Sequence, residues 1–190
     1  MNIKSVSAAV AFAIASFGGA NAALVGSTIS AGYYFPNDTT PYPFAIASPG
    51  SFAVGAGVET VINVEDVTDI NVDFGDDYLT ILFNTILTSP TWNVADFNGV
   101  IFEGIALTSI SGVSVDVMAT TMAGFDISRV TIIGDRLLLN WNGLSYVNGT
   151  SIRLDFEMAE IPLPVGWTLM LAGLVLGSGV SALRRRLAAA

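Results

Sequence analysis

From Ser151 to Met158 apolar and polar residues alternate without a break. Ile152, Leu154, Phe156 and Met158 fall on one face of an extended chain, and Ser151, Arg153, Asp155 and Glu157 on the other. A period of two is the signature of a strand with one buried and one solvated face. It recurs in Ile70-Asn71-Val72-Asp73-Phe74 and in Val113-Ser114-Val115-Asp116-Val117. Tight turns punctuate the pattern. Gly134-Asp135 links Arg129–Ile133 to Arg136–Trp141, and Gly75-Asp76-Asp77 links Ile70–Phe74 to Tyr78–Phe83. Further strands are predicted at Leu24–Phe35, Phe52–Val54, Val58–Val64 and Val100–Ile105, and the Pro/Thr/Ser-rich stretch from Pro36 to Pro49 reads as a surface loop. Between residues 23 and 160 nothing sustains a 3.6-residue period over three turns. The predicted fold class is all-β: a single antiparallel β-sandwich or jelly-roll-like ectodomain.

The two ends follow a different pattern. Lys4 is the only charge ahead of a 12-residue apolar stretch, Val6 to Phe17; Gly18-Gly19 and the small-x-small Ala20-Asn21-Ala22 come next. This is the layout of a secretory signal peptide, residues 1–22, with cleavage after Ala22. From Ile161 to Leu183 there are 23 residues without a charge, followed by Arg184-Arg185-Arg186. As a helix that stretch is about 35 Å long at ~1.5 Å per residue, enough to span a hydrocarbon core of ~30 Å. One C-terminal transmembrane helix is therefore predicted. The arginines would serve as its cytoplasmic anchor, with residues 23–160 on the outer side of the membrane.

Charge and composition narrow the chemistry. All 16 acids lie within residues 23–160, against Arg129, Arg136 and Arg153, giving this region a formal charge of −13 and no lysine. Without a basic patch there is no footprint for nucleic acid. The chain has no His and no Cys. That removes Ser-His-Asp and Cys-His catalysis, the usual zinc ligands and any disulfide framework. Paired carboxylates could still serve a glycosidase, which needs two acids flanking a sugar bond. Strand alternation alone accounts for Asp73, Asp116, Asp155 and Glu157 as solvated outward acids.

Two acid groups have the spacing of a structural calcium site: Glu65-Asp66 with Asp69, and Asp73 with Asp76-Asp77. Closely spaced carboxylates on a turn supply the oxygens calcium needs, although neither group follows the EF-hand pattern. Aspartate is also favoured in turns for its local hydrogen bonds. No other cofactor is indicated. Among the aromatics, Trp141 is in phase with Leu137 and Leu139 and is assigned to the core. Trp92, in a polar stretch after Pro90, is expected to be exposed. Tyr33-Tyr34 places one ring on each face of its strand. Trp92, Tyr33 and Tyr34 are thus the candidates for stacking on sugar rings.

The C-terminal segment has a further resemblance. Ile161-Pro162-Leu163-Pro164-Val165-Gly166, an apolar span and a terminal arginine cluster together resemble the PEP-CTERM/exosortase sorting tail, in its VPLPA-CTERM variant. Pro162, Leu163, Pro164 and Gly166 match the variant, while Ile161 stands for Val and Val165 for Ala. The resemblance covers roughly the last 30 residues (161–190) and implies a Gram-negative cell-envelope protein. In that family the tail holds the protein in the inner membrane until an exosortase-type enzyme cuts near the prolines and passes it on. It also implies a final place at the cell surface or in the extracellular polysaccharide matrix. A plain membrane anchor has the same span and arginines but no use for the Pro-x-Pro. For residues 23–160 three readings follow: a structural or polysaccharide-associated matrix protein, a carbohydrate-binding module with an exposed aromatic platform, and a carboxylate-only glycosidase.

Overall fold

The computed structural model describes residues 20–21 and 23–161. The signal segment, Ala22, the Pro162–Gly166 motif, the apolar span and Arg184–Arg186 lie outside the described residues. Among the described residues no helix is long and apolar enough to cross a membrane. Asn21–Ala159 form one compact unit.

The chain is built from antiparallel strands in two main sheets. In chain order the strands are β1 (Ala20–Asn21), β2 (Thr28–Tyr34), β3 (Ala45–Ser48), β4 (Ser51–Ala53), β5 (Thr60–Val64), β6 (Thr68–Phe74) and β7 (Tyr78–Thr85). They continue with β8 (Gly99–Glu103), β9 (Ile110–Val115), β10 (Val130–Ile133), β11 (Arg136–Asn140), β12 (Thr150–Met158) and β13 (Glu160–Ile161). One sheet has five strands in the order β10-β11-β8-β2-β4, and the other six in the order β3-β5-β6-β7-β12-β9. The two-residue strands β1 and β13 pair with each other. Short 3₁₀ turns at Ile105–Ser109 and Ile127–Arg129 lead into β9 and β10 respectively.

Alternation decides which side chains meet. Ile70, Val72 and Phe74 of β6, Leu79, Ile81 and Phe83 of β7, and Ile152 and Leu154 of β12 are fully buried on the inner face of the six-stranded sheet. They share one core with Ile29, Val100, Phe102, Leu137 and Leu139 of the five-stranded sheet. Aromatic rings join the sheets directly: Phe74 meets Phe102 edge-on at 5.0 Å, and Phe83 meets Trp141 edge-on at 5.1 Å. The result is a β-sandwich, with cross-sheet edge-to-face pairs supplying specific geometry beyond area burial.

Both predicted turns are present. Ile133 and Arg136 pair directly across Gly134-Asp135, with Gly134 at φ 61°. At the other turn Gly75 donates its N–H to the Tyr78 carbonyl, and a Cβ on Gly75 would lie 2.1 Å from the Tyr78 ring. Several strands start or stop differently from the sequence pattern. The first is shorter at its start, because Leu24 to Ser27 form a turn with Gly26 at φ 85°. β9 stops at Val115, where the Asp116 carboxylate accepts the Met118 and Ala119 N–H groups and turns the chain. The larger departure is β3. The segment 36–49 is not wholly a loop, because Ala45–Ser48 adds an edge strand beside β5. Its pattern is inverted: small Ala45 and Ala47 pack on the core while Ile46 is 68% exposed.

A core closed by these two faces is expected to form without either terminal segment. Ala23–Glu160 produced alone is expected to be soluble without detergent and to give a strand-dominated circular dichroism spectrum. Its charge should keep copies apart until acidification into the carboxylate pKa range, near ~4, brings aggregation. A helical spectrum, or solubility only in detergent, would contradict the fold boundary.

Candidate functional site

The antiparallel topology brings five segments to the same end of the sandwich. The end of β2 delivers Tyr33, the approach to β3 delivers Tyr42, and the β5–β6 turn delivers Glu65. The segment after β7 carries Trp92, the start of β8 is preceded by Asn98, and Trp141 and Tyr146 lie between β11 and β12. Together they enclose a cleft of about 200 Å³, lined among others by Tyr33, Tyr42, Glu65, Trp92, Asn98 and Tyr146.

Tyr33 is the hub of this end. Its hydroxyl accepts the Trp141 Nε1–H at 2.9 Å and donates to Asn98 Oδ1 at 2.6 Å. Asn98 in turn donates through Nδ2 to the Asn93 carbonyl at 2.9 Å, and its backbone N–H donates to Asn140 Oδ1 at 3.1 Å. All three hub side chains are buried. Burial pushes the Tyr33 phenol well above its ordinary value, against a smaller opposing effect of the Trp141 donor. A second relay runs from the Tyr146 hydroxyl to Thr68 Oγ1 at 2.8 Å, to Thr85 Oγ1 at 2.9 Å, and ends on the Val67 carbonyl at 3.0 Å. Burial raises the Tyr146 phenol as well.

Trp92 corrects the reading from sequence. It is 8% exposed, not a surface platform, and its indole lies flat on Tyr146 with centroids 4.6 Å apart and 8° between planes. Its polar neighbours in sequence say nothing of this, because the burying partner is a ring in another loop. The Trp92 Nε1–H is sealed from water and meets no acceptor among the described residues. A buried donor left in this state costs about 1–3 kcal/mol. Tyr33 faces inward in phase with Ile29. Tyr34 faces the other way, into a small cluster with Phe97, Ile101 and Leu138, and takes no part in the cleft. The three candidate sugar-stacking residues therefore do not form one exposed row.

Glu65 and Asp66 form the strained rim. Both have positive φ, 55° and 56°, which is unusual outside glycine and the αL-tolerant Asn and Asp. The turn is held by the Val67 N–H on the Val64 carbonyl, the Glu65 N–H on the Phe44 carbonyl and the Asp66 N–H on Asn63 Oδ1. The Glu65 carboxylate accepts the Tyr42 hydroxyl in a short hydrogen bond. That bond, with burial second, pushes the Tyr42 phenol up to about 12.

The remaining candidate calcium ligands spread apart. Asp69 accepts the Asn63 side-chain amide at 2.8 Å. Asp73 sits on the outer face of β6 opposite Thr80, while Asp76 and Asp77 are exposed in the β6–β7 turn. Among the described residues no three of His, Cys, Asp or Glu gather as a metal-ligand set. Of the cleft residues, Asn98, Thr68 and Asn93 went unsingled in the sequence, since an amide beside a strand start has no pattern of its own. Comparison with known protein families, curated proteins and solved structures finds no match to this chain.

The Tyr42–Glu65 pair sets a pH signature. A phenol raised in the folded state contributes stability that is full below its unfolded value of 10.0 and is lost as pH rises through about 12. Alkaline titration by tyrosinate absorbance should therefore lose one group from the high-pH fraction in Tyr42→Phe. The alkaline fall in melting temperature should be shallower in that variant. An unchanged titration would show that the pair does not form in solution.

Proposed function

We propose that this chain is an exported protein of the cell envelope or extracellular matrix, held by its C-terminal segment and then released by an exosortase-type enzyme. In this reading the sandwich is non-enzymatic and serves as a structural or polysaccharide-associated module. The observation that carries the proposal is the joint layout of the two chain ends: a charged start, apolar run and Ala-x-Ala at one, and Pro162-Leu163-Pro164 with an apolar span and three arginines at the other. Proline at both positions favours an extended backbone in this stretch, the form a peptidase can grip.

The faces of the sandwich support the structural role. On the outer side of the six-stranded sheet the register aligns Ile46, Asn63, Asp69 and Asn84 in one row, Val61, Asn71, Leu82 and Ser151 in the next, and Asp73, Thr80 and Arg153 in the third. Tyr78, on the same face, is covered by the Arg153 guanidinium 4.2 Å above its ring. Such a surface is mostly polar, with Ile46 and Leu82 exposed singly among its polar residues, and it has no row of rings for a sugar chain to lie on. The glycosidase reading gains no support at the cleft, where Glu65 is the single carboxylate on the wall and already accepts the Tyr42 hydroxyl. A charge of −13 on residues 23–160 favours a module that stays dispersed among its copies.

Replacing both Pro162 and Pro164 with Ala in the native host is expected to trap the protein in the membrane fraction while the parent is released. Cell fractionation with immunodetection reads the outcome. Release of the double variant at the parent's level would remove the sorting reading and leave a plain anchor.

A further inference from the structure

The cleft at the aromatic end has a composition that selects among ligands. Its walls combine aromatic rings (Tyr33, Tyr42, Trp92, Tyr146) with neutral amides and hydroxyls and the one carboxylate of Glu65, and no cation among the described residues lines it. Anionic ligands are disfavoured by that carboxylate. Two classes suit rings beside a carboxylate: a quaternary or primary ammonium held by cation–π attraction, and a neutral polyhydroxylated ring that stacks by its apolar face. The unpartnered Trp92 Nε1–H decides between them. An ammonium group brings no acceptor, so it leaves that donor unsatisfied, whereas a sugar hydroxyl or ring oxygen satisfies it.

We infer that the cleft binds a single neutral pyranose ring, with Trp92 Nε1–H donating to a ring or hydroxyl oxygen and Glu65 accepting from a hydroxyl. This deepens the matrix reading above and rests on it for the source of the ligand, the end of a glycan chain. Size supports an end residue over an internal one. About 200 Å³ is below the ~300 Å³ at which sites for larger ligands begin, so the cleft holds one ring and not a run of them. The Trp92 donor is sealed from water in the unliganded fold, so binding includes a slide of the indole edge toward the ligand. Glu65 is pre-positioned by the positive-φ turn and by the Tyr42 hydroxyl, which uses one of its carboxylate oxygens.

The test uses the full chain in a polyoxyethylene detergent, which carries neither a sugar nor an ammonium group. Methyl glycosides of glucose, galactose, mannose and xylose are titrated by calorimetry, with choline as a competing class. The indole N–H resonances of the three tryptophans are followed by NMR. At least one glycoside should bind saturably, in the millimolar range, and move a single indole N–H signal that is missing from Trp92→Phe. That variant keeps a ring on Tyr146 and should bind at least about tenfold more weakly, a loss of ~1.4 kcal/mol. Thr91→Trp fills an exposed position on the cleft wall and gives up a hydroxyl contact with Ser145; with the parental circular dichroism spectrum retained, it should abolish binding. Saturable binding by none of the glycosides, parental affinity in both variants, or binding of choline in place of the glycosides would each overturn the assignment. Loss of glycoside binding with proline-dependent release intact removes the cleft alone. Proline-independent release with glycoside binding intact removes the sorting reading alone.

Discussion

The Tyr33 hydroxyl is the polar centre of the aromatic end of this sandwich. Donating to Asn98 and accepting from Trp141, it closes three hydrogen-bonding groups on one another in a region otherwise filled with aromatic rings. An unsatisfied polar group there would cost more than the bond itself returns, so the network holds or fails as a unit. It also ties β2 to the start of β8 and the end of β11, the three central strands of the five-stranded sheet. Around it Trp92, Trp141, Phe83 and Tyr146 assemble with centroid separations of 4.6 to 6.2 Å. The rest of the cleft is positioned by this packing.

The opposite tendencies of the two parts of the fold follow from that hub. Along the β6, β7 and β12 strands the inward residues are apolar except for Thr68, Thr85 and Thr150 at the strand ends, and between those ends local preference agrees with burial. At the aromatic end the chain tolerates two consecutive non-glycine residues at positive φ and a buried indole donor with no acceptor. Such local costs persist only where surrounding structure over-determines them, and they collect where a protein meets its ligands. The central strands supply the stability that lets the end depart from these rules.

What the sequence discloses is the alternation. The inward sets of β6, β7, β11 and β12, the two tight turns, and Trp141 in phase with Leu137 and Leu139 are all readable from period two. The opposed directions of Tyr33 and Tyr34 follow from the same count. β3 is hidden because its large residue points outward and its alanines point in, an inversion possible on a short edge strand with little to bury. Trp92 is hidden for a different reason. Its burial is set by a partner 54 positions later, Tyr146, and no local pattern encodes a contact between two loops. The cleft is likewise illegible, since its walls come from five separate segments that only the sheet topology brings together.

The account stands most directly on whether the Tyr33 hub is closed in solution. Hydrogen exchange of the Trp141 indole N–H, measured by NMR in the parent and in Tyr33→Phe, addresses this atom by atom. In the parent the Trp141 signal should exchange only through large-scale opening. The variant leaves that donor and Asn98 Oδ1 without their partner, so protection should collapse and unfolding stability fall by about 2–4 kcal/mol. A Trp141 N–H that is equally protected in both proteins, with stability unchanged, would contradict the claim that this hydroxyl organises the aromatic end.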